Sequence, residues 1–124
     1  MKEQPECEVD EHGNKWWRFN GKWHREDGPA YEGADGDKRW VLNGEYHRED
    51  GPAVERTSGT KEWLLHGQHH REDGPALEWA NGYKKWYLNG EEAHPETLVD
   101  LHLSRGTFCY YDQETETLHF DEST

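Results

Sequence analysis

The stretch that decides the fold is Trp40–Ala53, which reads Trp-Val-Leu-Asn-Gly-Glu-Tyr-His-Arg-Glu-Asp-Gly-Pro-Ala. With Lys38 and Arg39 before it, its start predicts a short alternating β-strand over 38–42. Asn43 and Gly44 tolerate positive φ, which a type I′ hairpin turn requires at both central positions. A second turn is predicted at 50–52, because proline lacks an amide donor and glycine accepts unusual dihedral angles. The stretch therefore predicts a β-hairpin, then a turn, then a short extended segment over 53–55.

This stretch belongs to a repeat with a period of 23 residues, in which the segment His-Arg-Glu-Asp-Gly-Pro-Ala starts at His24, His47 and His70. The same period connects Gly13, Gly36, Gly59 and Gly82; Lys15, Lys38, Lys61 and Lys84; and Trp17, Trp40, Trp63 and Trp86. We number units one to four from these glycines, and the fourth unit departs from the pattern after Gly90. Such a period is typical of supersecondary units that stack on one another. Because no helical periodicity occurs over 13–90, the units are predicted to be β-hairpins.

A two-residue turn determines which side chains meet across each hairpin. In unit two the predicted partners are Leu42 and Glu45, Val41 and Tyr46, and Trp40 and His47. The tryptophan, the leucine and the histidine then share one face of the hairpin. The pattern predicts that this Trp/Leu column forms the core and that each histidine packs beside its tryptophan.

The opposite face of the hairpins is mixed in character and rich in aromatic residues. It carries Trp23, Tyr46 and Tyr87, together with Arg18. Aromatic residues and arginine are enriched at protein interfaces, so the three aromatic residues are candidate binding residues. The alternative is that neighbouring strands or the C-terminal region cover them.

Acidic residues are concentrated at the two ends of this 124-residue chain, whose net charge is −13 at pH 7. Residues 1–12 form an acidic N-terminal lead with one basic and five acidic residues. Residues 91–124 hold one arginine and nine acidic residues, whereas 13–90 is nearly neutral, with twelve basic and thirteen acidic residues. This charge argues against direct binding to nucleic acid or to anionic lipid. It predicts a protein partner with a basic surface.

The composition favours one folded domain, because 13% of the residues are aromatic and disordered segments are poor in aromatic residues. No apolar run is long enough to span a membrane, and residues 1–6 lack the apolar stretch of a secretory signal. Cys7 and Cys109 lie far apart without metal-site spacing, so free thiols in a reducing compartment are expected. These observations predict a cytoplasmic protein.

The C-terminal region, 91–124, is predicted to form a small cap on the repeats. Pro95 suits the first position of a helix, and apolar residues recur at helical spacing over 95–104, before Gly106. Two strands over 107–111 and 115–120 are predicted to form a closing hairpin. Because repeat proteins need such a terminal element, capping is its first expected role. A second is recognition of a basic partner through Tyr110, Tyr111, Asp112, Glu114, Glu116, Asp121 and Glu122.

The repeated His-Arg-Glu-Asp segment contains residue types that metal and acid–base sites use. Three near-identical copies nevertheless indicate a structural consensus, because a catalytic site needs one asymmetric pocket. A zinc site needs about four convergent ligands, whereas the histidines occur one per unit, about 10 Å apart if two strands separate them. The chain holds no nucleophile elbow, phosphate loop or dinucleotide motif. We therefore predict no enzymatic activity, no metal and no cofactor.

The repeat over 13–90 resembles the MORN repeat, through the pattern Trp-x-x-Asn-Gly-x-x-His. The longer string ending in Asp-Gly-Pro-Ala resembles the MORN-like arrays of bacteriophage proteins. The resemblance implies an all-β fold, a curved, single-layer antiparallel β-meander or solenoid that acts as a binding module. This sequence differs from the usual MORN pattern, because Arg-Glu-Asp stands where Gly-x-Gly normally follows the histidine. The lipid binding known for some MORN proteins is therefore not expected, and membrane contact is not predicted.

These observations predict a non-enzymatic, protein-binding repeat module. Combined with the resemblance, they suggest a phage-encoded inhibitor of a host nucleic-acid-binding defence complex, similar in logic to anti-CRISPR or DNA-mimic proteins. It would act in the cytoplasm of the host cell. One alternative is a structural or assembly module that forms a homo-oligomer through its mixed face or an edge strand. Another is a sponge that binds a small nucleotide signal between aromatic rings.

Overall fold

The computed structural model describes residues 4–120, in which short antiparallel strands and one helix alternate. The strands are β1 (Glu6–Val9), β2 (Lys15–Phe19), β3 (Lys22–Trp23), β4 (Tyr31–Glu32), β5 (Lys38–Arg39), β6 (Val41–Leu42), β7 (Glu45–Tyr46), β8 (Val54–Glu55), β9 (Lys61–Glu62), β10 (Leu64–Leu65), β11 (Gln68–His69), β12 (Leu77–Glu78), β13 (Lys84–Lys85), β14 (Tyr87–Leu88), β15 (Glu91–Glu92), β16 (Cys109–Asp112) and β17 (Thr117–Phe120). The helix, α1, spans Pro95–Ser104. The predicted all-β class is confirmed.

Nine of the strands form one antiparallel sheet whose order is β1-β2-β4-β5-β8-β9-β12-β13, with β3 paired to β2. The remaining strands form two-stranded sheets, β6–β7, β10–β11, β14–β15 and β16–β17. Within the large sheet, one strand lies between the equivalent strands β5 and β9. Successive repeat units are therefore two strands apart. The acidic N-terminal lead contributes the edge strand β1, which the sequence pattern did not predict.

The predicted hairpin register is confirmed, since Val41 pairs with Tyr46 and Leu42 with Glu45. The turn residue Asn43 has a φ of 49° and Gly44 a φ of 83°. The equivalent pairs have positive φ as well, even where His66 replaces the asparagine. This conformation is what a type I′ turn requires, and it explains why Asn-Gly recurs there.

In units two to four, the repeated tryptophan lies between a strand of the large sheet and a hairpin strand outside it, whereas Trp17 lies inside β2, whose hairpin partner β3 belongs to the large sheet. The Trp40 amide donates to the Ala53 carbonyl at 2.7 Å, and the Trp40 carbonyl accepts from the His47 amide at 3.0 Å. Trp17 and Trp63 make the same two bonds in units one and three. A single residue thus pairs with two different strands, which satisfies both of its backbone groups at the branch.

The predicted core is wrong in its choice of face. The buried side chains of the repeats are Val41 and Leu64 from the mixed face, Val54, and the alanines that end each Gly-Pro-Ala segment, with Trp86 at the last unit. Trp40 is only half-buried and packs against the cluster of Ala53, Val54 and Leu64. The physical reason is that arginines cover the rings of Trp17, Trp40 and Trp63, and the Trp40 ring lies between the core cluster and Arg48.

A column of alternating charges crosses the large sheet. The cross-strand partners run in the order Lys15, Glu32, Lys38, Glu55, Lys61, Glu78 and Lys84. Opposite charges at directly facing positions stabilise a register, whereas a slip by one residue would break the alternation. The column accounts for the lysine that recurs every 23 residues.

The helix of the C-terminal cap is capped by His94, whose Nδ1 accepts from the Glu96 amide at the start of α1. Leu98 and Val99 of α1 are buried with Cys109 of β16. The predicted helix over 95–104 is confirmed, as is the hairpin that follows it. Within residues 4–120, the structure contains no helix with the length and apolarity needed to cross a membrane.

Candidate binding surfaces

The arginine of each His-Arg-Glu-Asp segment is a structural clamp. In unit two the Arg48 guanidinium lies 3.8 Å from the centre of the Trp40 ring. It donates to Asp50 at 3.0 Å, to Glu55 at 2.8 Å and to the Pro52 carbonyl at 3.1 Å. Arg25 and Arg71 make the equivalent contacts in units one and three. Two carboxylates, a carbonyl and an aromatic face thus neutralise each guanidinium, and these arginines are not free to bind a ligand.

The glycine of each Asp-Gly-Pro turn makes room for this arginine. A Cβ built on Gly51 would stand 2.8 Å from the Arg48 guanidinium carbon, closer than real Cβ contacts. Gly28 and Gly74 are equally close to their own arginines. Among the residues described, none of these three glycines has positive φ. The expectation of an unusual dihedral angle was therefore wrong, and the glycine is needed for close approach.

The histidine of each segment lies across the hairpin from its tryptophan, and its side chain also binds the next unit. His24 Nδ1 accepts from the Asn43 amide at 3.0 Å, and His47 Nδ1 accepts from the His66 amide at the same distance. His70 does so with Asn89 at 2.8 Å. Each bond satisfies a donor at a positive-φ turn. The histidine therefore connects neighbouring units, and the arginine of the same segment lies over the tryptophan ring.

The loops that join strands of the large sheet provide a second connection between units. Asn14 Oδ1 accepts from the Ala34 amide at 2.7 Å, and Asp37 Oδ1 accepts from the Thr57 amide at 2.8 Å. That amide bond is the main reason why the pKa of the Asp37 carboxyl is lowered. Thr60 makes the third such contact, with the Ala80 amide. The residue type varies, so the sequence period did not reveal this connection.

The glutamate of each segment points outward beside its histidine. The carboxylates of Glu26, Glu49 and Glu72 lie 3.4–3.6 Å from the Nε2 atoms of His24, His47 and His70, in the same arrangement. In units one and two the glutamate side chain is 82% and 84% exposed. In unit three this value is only 37%, because the cap covers Glu72.

The cap contacts unit three through two side chains near the end of α1. Arg105 donates to both carboxylate oxygens of Glu72, at 2.7 Å and 3.4 Å, and lowers the pKa of that carboxyl. His102 Nε2 lies 2.6 Å from the Glu72 carbonyl oxygen. The repeat pattern does not predict this contact, since Arg105 lies 33 residues away from Glu72 and outside the repeat.

A groove of about 740 Å³ runs between the His-Arg-Glu-Asp segments of units two and three. Its walls are Glu49, Asp50 and Pro52 on one side and Trp63, Leu65 and Glu72 on the other, with His102 also lining it. A smaller groove of about 390 Å³ lies beside Glu26 in unit one, next to the N-terminal residues Gln4 and Pro5. Both grooves combine apolar walls with acidic rims.

The predicted recognition residues of the cap fall into two sets. Glu114 and Glu116 are exposed, and so is Tyr110, which stacks on His119 with ring centres 5.1 Å apart. Tyr111 and Asp112 have structural contacts instead. Tyr111 packs edge-on against Trp86. The other two predicted residues, Asp121 and Glu122, belong to neither set, because they lie outside the described range.

Asp112 caps the turn between β16 and β17. Its Oδ1 accepts from the Glu114 amide at 2.9 Å and from the Thr115 amide at 3.4 Å. The first of these bonds is the main cause of the lowered pKa of the Asp112 carboxyl. The side chain therefore holds the turn that displays the two exposed glutamates.

The predicted aromatic residues of the mixed face do not form one groove. Trp23 stacks on Tyr31 with ring centres 5.6 Å apart. The Tyr46 hydroxyl accepts from Arg39 at 3.1 Å, and its ring packs against the core cluster. Tyr87 packs against His69. Each ring is half-buried and lies in a local contact.

Both cysteines are free, as predicted, with Cys7 exposed and Cys109 buried. Burial raises the pKa of the Cys109 thiol, which keeps it protonated and unreactive. Across residues 4–120, no group of three or more His, Cys, Asp or Glu side chains could hold a metal ion.

No family model, curated protein or solved structure matches this chain.

Proposed function

We propose that this chain is a non-enzymatic, protein-binding module that uses acidic surface against a basic, nucleic-acid-binding surface of a partner protein. The charge of the cap carries the proposal. Within 91–120, six of the seven acidic side chains are exposed, and the one arginine, Arg105, is paired with Glu72. Carboxylates on an ordered hairpin can occupy lysine and arginine sites that otherwise hold phosphates.

In this proposal the repeats are an open, single-layer MORN-like β-meander that presents the cap. Two features support it: the strands of the large sheet follow one another almost in chain order, and each unit bonds to the next through the same histidine. The repeated arginine, histidine and glycine then serve the scaffold.

The resemblance to bacteriophage arrays extends the proposal to the class of partner. A phage protein of this charge would inhibit a host defence complex that binds nucleic acid, in the cytoplasm of the host cell. Anti-CRISPR and DNA-mimic proteins act by this logic, since they compete with nucleic acid for a basic surface.

The test is competitive capture of proteins from a bacterial lysate. The bait is compared with a cap variant carrying Glu114→Gln and Glu116→Gln, and with a charge-matched control carrying Glu11→Gln and Glu45→Gln in other exposed regions. We expect the bait and the control to retain a nucleic-acid-binding protein that added DNA or high salt releases. The cap variant should lose it. Capture that is insensitive to salt, or equal for all three baits, would contradict the proposal.

A second candidate function is self-association through an edge strand. β1 lies at the edge of the nine-stranded sheet, and all four of its residues are exposed. An open edge is a template for pairing with another chain, although acidic residues such as Glu8 oppose it. Light scattering after size exclusion distinguishes the two functions, because a stable dimer that Val9→Lys disrupts would favour assembly.

A further inference from the structure

Unit three differs from units one and two in one respect that points to a ligand. Its glutamate, Glu72, holds a guanidinium that comes from outside the array, since Arg105 of the cap contacts both carboxylate oxygens. The neighbouring carbonyl of Glu72 is also occupied, by His102. The molecule thus contains an example of what this glutamate position binds.

Units one and two carry the same position without such an occupant. Glu26 and Glu49 hold the same relation to their histidines as Glu72 does, at 3.5 and 3.6 Å. Within the described part of the chain, neither carboxylate has an arginine or lysine within 4.0 Å. Both side chains are more than 80% exposed, and both lie at the rim of a groove.

We propose that Glu26 and Glu49 form a pair of guanidinium sites that bind two arginine side chains of a partner protein, as Glu72 binds Arg105. This inference rests on the proposed function and names the chemistry that the partner presents. Apolar groove walls, including Trp63 and Leu65, would contact the aliphatic stems of those arginines.

The spacing of the two sites limits how the partner can present its arginines. Successive units are two strands apart in the large sheet, and adjacent strands are ~4.8 Å apart, so the sites repeat at roughly 9.6 Å. An extended polyproline II segment advances about 3.1 Å per residue with three residues per turn, so every third residue recurs at ~9.3 Å on one side. The partner segment therefore carries arginine at positions i and i+3 of an extended chain.

Arginine is preferred over lysine at these sites. A guanidinium can contact both oxygens of a carboxylate in parallel, as Arg105 does, whereas an ammonium acts as a point charge. The repeated arginines do not repel such a ligand strongly, because Arg48 is already paired with Asp50 and Glu55.

The experiment uses the full chain and synthetic peptides as probes. One peptide has arginine at every third position among prolines, a second has the same composition with the arginines adjacent, and a third has lysine at every third position. NMR titration follows the amides of Glu26 and Glu49. We expect the spaced arginine peptide to bind about tenfold more tightly than either of the others.

Two double variants separate this site from general acidity. Glu26→Gln with Glu49→Gln should weaken the spaced peptide about tenfold, whereas Glu11→Gln with Glu45→Gln, an equal charge change at exposed positions outside the cap, should leave it within twofold. Equal weakening by both variants, or equal binding of the spaced and adjacent peptides, would overturn the inference. If this inference failed in that way but the Glu114→Gln, Glu116→Gln cap variant still lost the captured partner, the proposed function would stand.

Arg105→Gln supplies a test of opposite sign. The substitution removes the intramolecular guanidinium and leaves the Glu72 carboxylate open to a ligand. The spaced arginine peptide should therefore bind this variant two- to fivefold more tightly than it binds the unmodified chain. Circular dichroism establishes that the cap is still folded. Unchanged or weaker binding to the folded variant would show that Glu72 is not an example of the ligand site.

Discussion

Replacing one clamp arginine should destabilise the whole array, and Arg48→Ala is the most informative such change. The substitution removes a stack over Trp40 at 3.8 Å, bonds to Asp50 and Glu55, and a bond to the Pro52 carbonyl. A half-buried cation–π contact is worth about 1 kcal/mol and the exposed pair with Asp50 less than about 1 kcal/mol. Bonds between charged groups in a partly buried site contribute about 1–2 kcal/mol together after solvent screening.

The sum predicts that Arg48→Ala lowers the free energy of unfolding by about 2–4 kcal/mol, since the contributions are not strictly additive. For a chain of this length, that loss lowers Tm by roughly 8–15 °C. Urea unfolding followed by tryptophan fluorescence measures the difference, and Arg48→Lys should lose about half as much, because its stem and charge remain.

Arg56→Ala is the matched control for this prediction. Arg56 also belongs to unit two, but it is 42% exposed and has one carboxylate at 3.8 Å. Its removal should change the free energy of unfolding by less than about 0.5 kcal/mol. A value for Arg48→Ala as small as that of the control would refute the clamp, and the arginine would then be a surface residue of the consensus.

Three further changes test other parts of the scaffold. Gly51→Ala should destabilise the chain by about 1–3 kcal/mol because the new methyl displaces the Arg48 guanidinium, and thermal unfolding should show no such loss in the Arg48→Ala background. His47→Ala should cost about 1–2 kcal/mol in urea unfolding, since it leaves an amide of the next turn without its acceptor. Glu72→Gln should remove the part of cap stability that depends on acid. The Arg105 contact lowers the pKa of the Glu72 carboxyl in the folded state. The stability from this contact is therefore complete above the unfolded pKa of ~4.3 and is lost as pH falls through the lower folded pKa. Hydrogen exchange of the α1 amides between neutral and acidic pH reports that loss.

Each of these predictions has a result that contradicts it. Additive effects of Gly51→Ala and Arg48→Ala would show that the glycine does not act through the arginine. If His47→Asn were as destabilising as His47→Ala, an acceptor at that position would not be what the turn needs. If α1 protection in the Glu72→Gln variant fell with acid as steeply as in the unmodified chain, a different carboxylate would control the docking of the cap.

Much of the fold was predictable because it depends on contacts close in sequence. Asn43 and Gly44 specify a type I′ turn by their own backbone preferences, and that turn sets the pairing of Val41 with Tyr46 without reference to the remaining chain. The helix that starts at Pro95 was predictable for the same reason. These elements use local dihedral and periodic signals, which the sequence states directly.

The candidate sites were less predictable because they depend on which repeated residue contacts the next unit. The spacing predicts only the pairing of His47 with Trp40 inside one unit, whereas the bond from the His66 amide to the His47 side chain joins residues 19 apart and has no local signal. The contacts of the mixed face have no local signal in the sequence either. Tyr46 has the composition expected of an interface residue, but its hydroxyl and its ring both have partners inside the scaffold.

The sequence by itself determined that this chain is a repeat of β-hairpins with a helical cap, because identical segments must form identical local structure. Only the tertiary structure decided which copies remain open. Glu26, Glu49 and Glu72 are equivalent in sequence, yet docking of the cap brings Arg105 to the third and leaves the first two exposed. The physical reason is that the repeat period describes the contacts between one unit and the next, and these contacts change at the end of the array. The salt bridge between Arg105 and Glu72 joins residues 33 apart, so it has no local signal in the sequence.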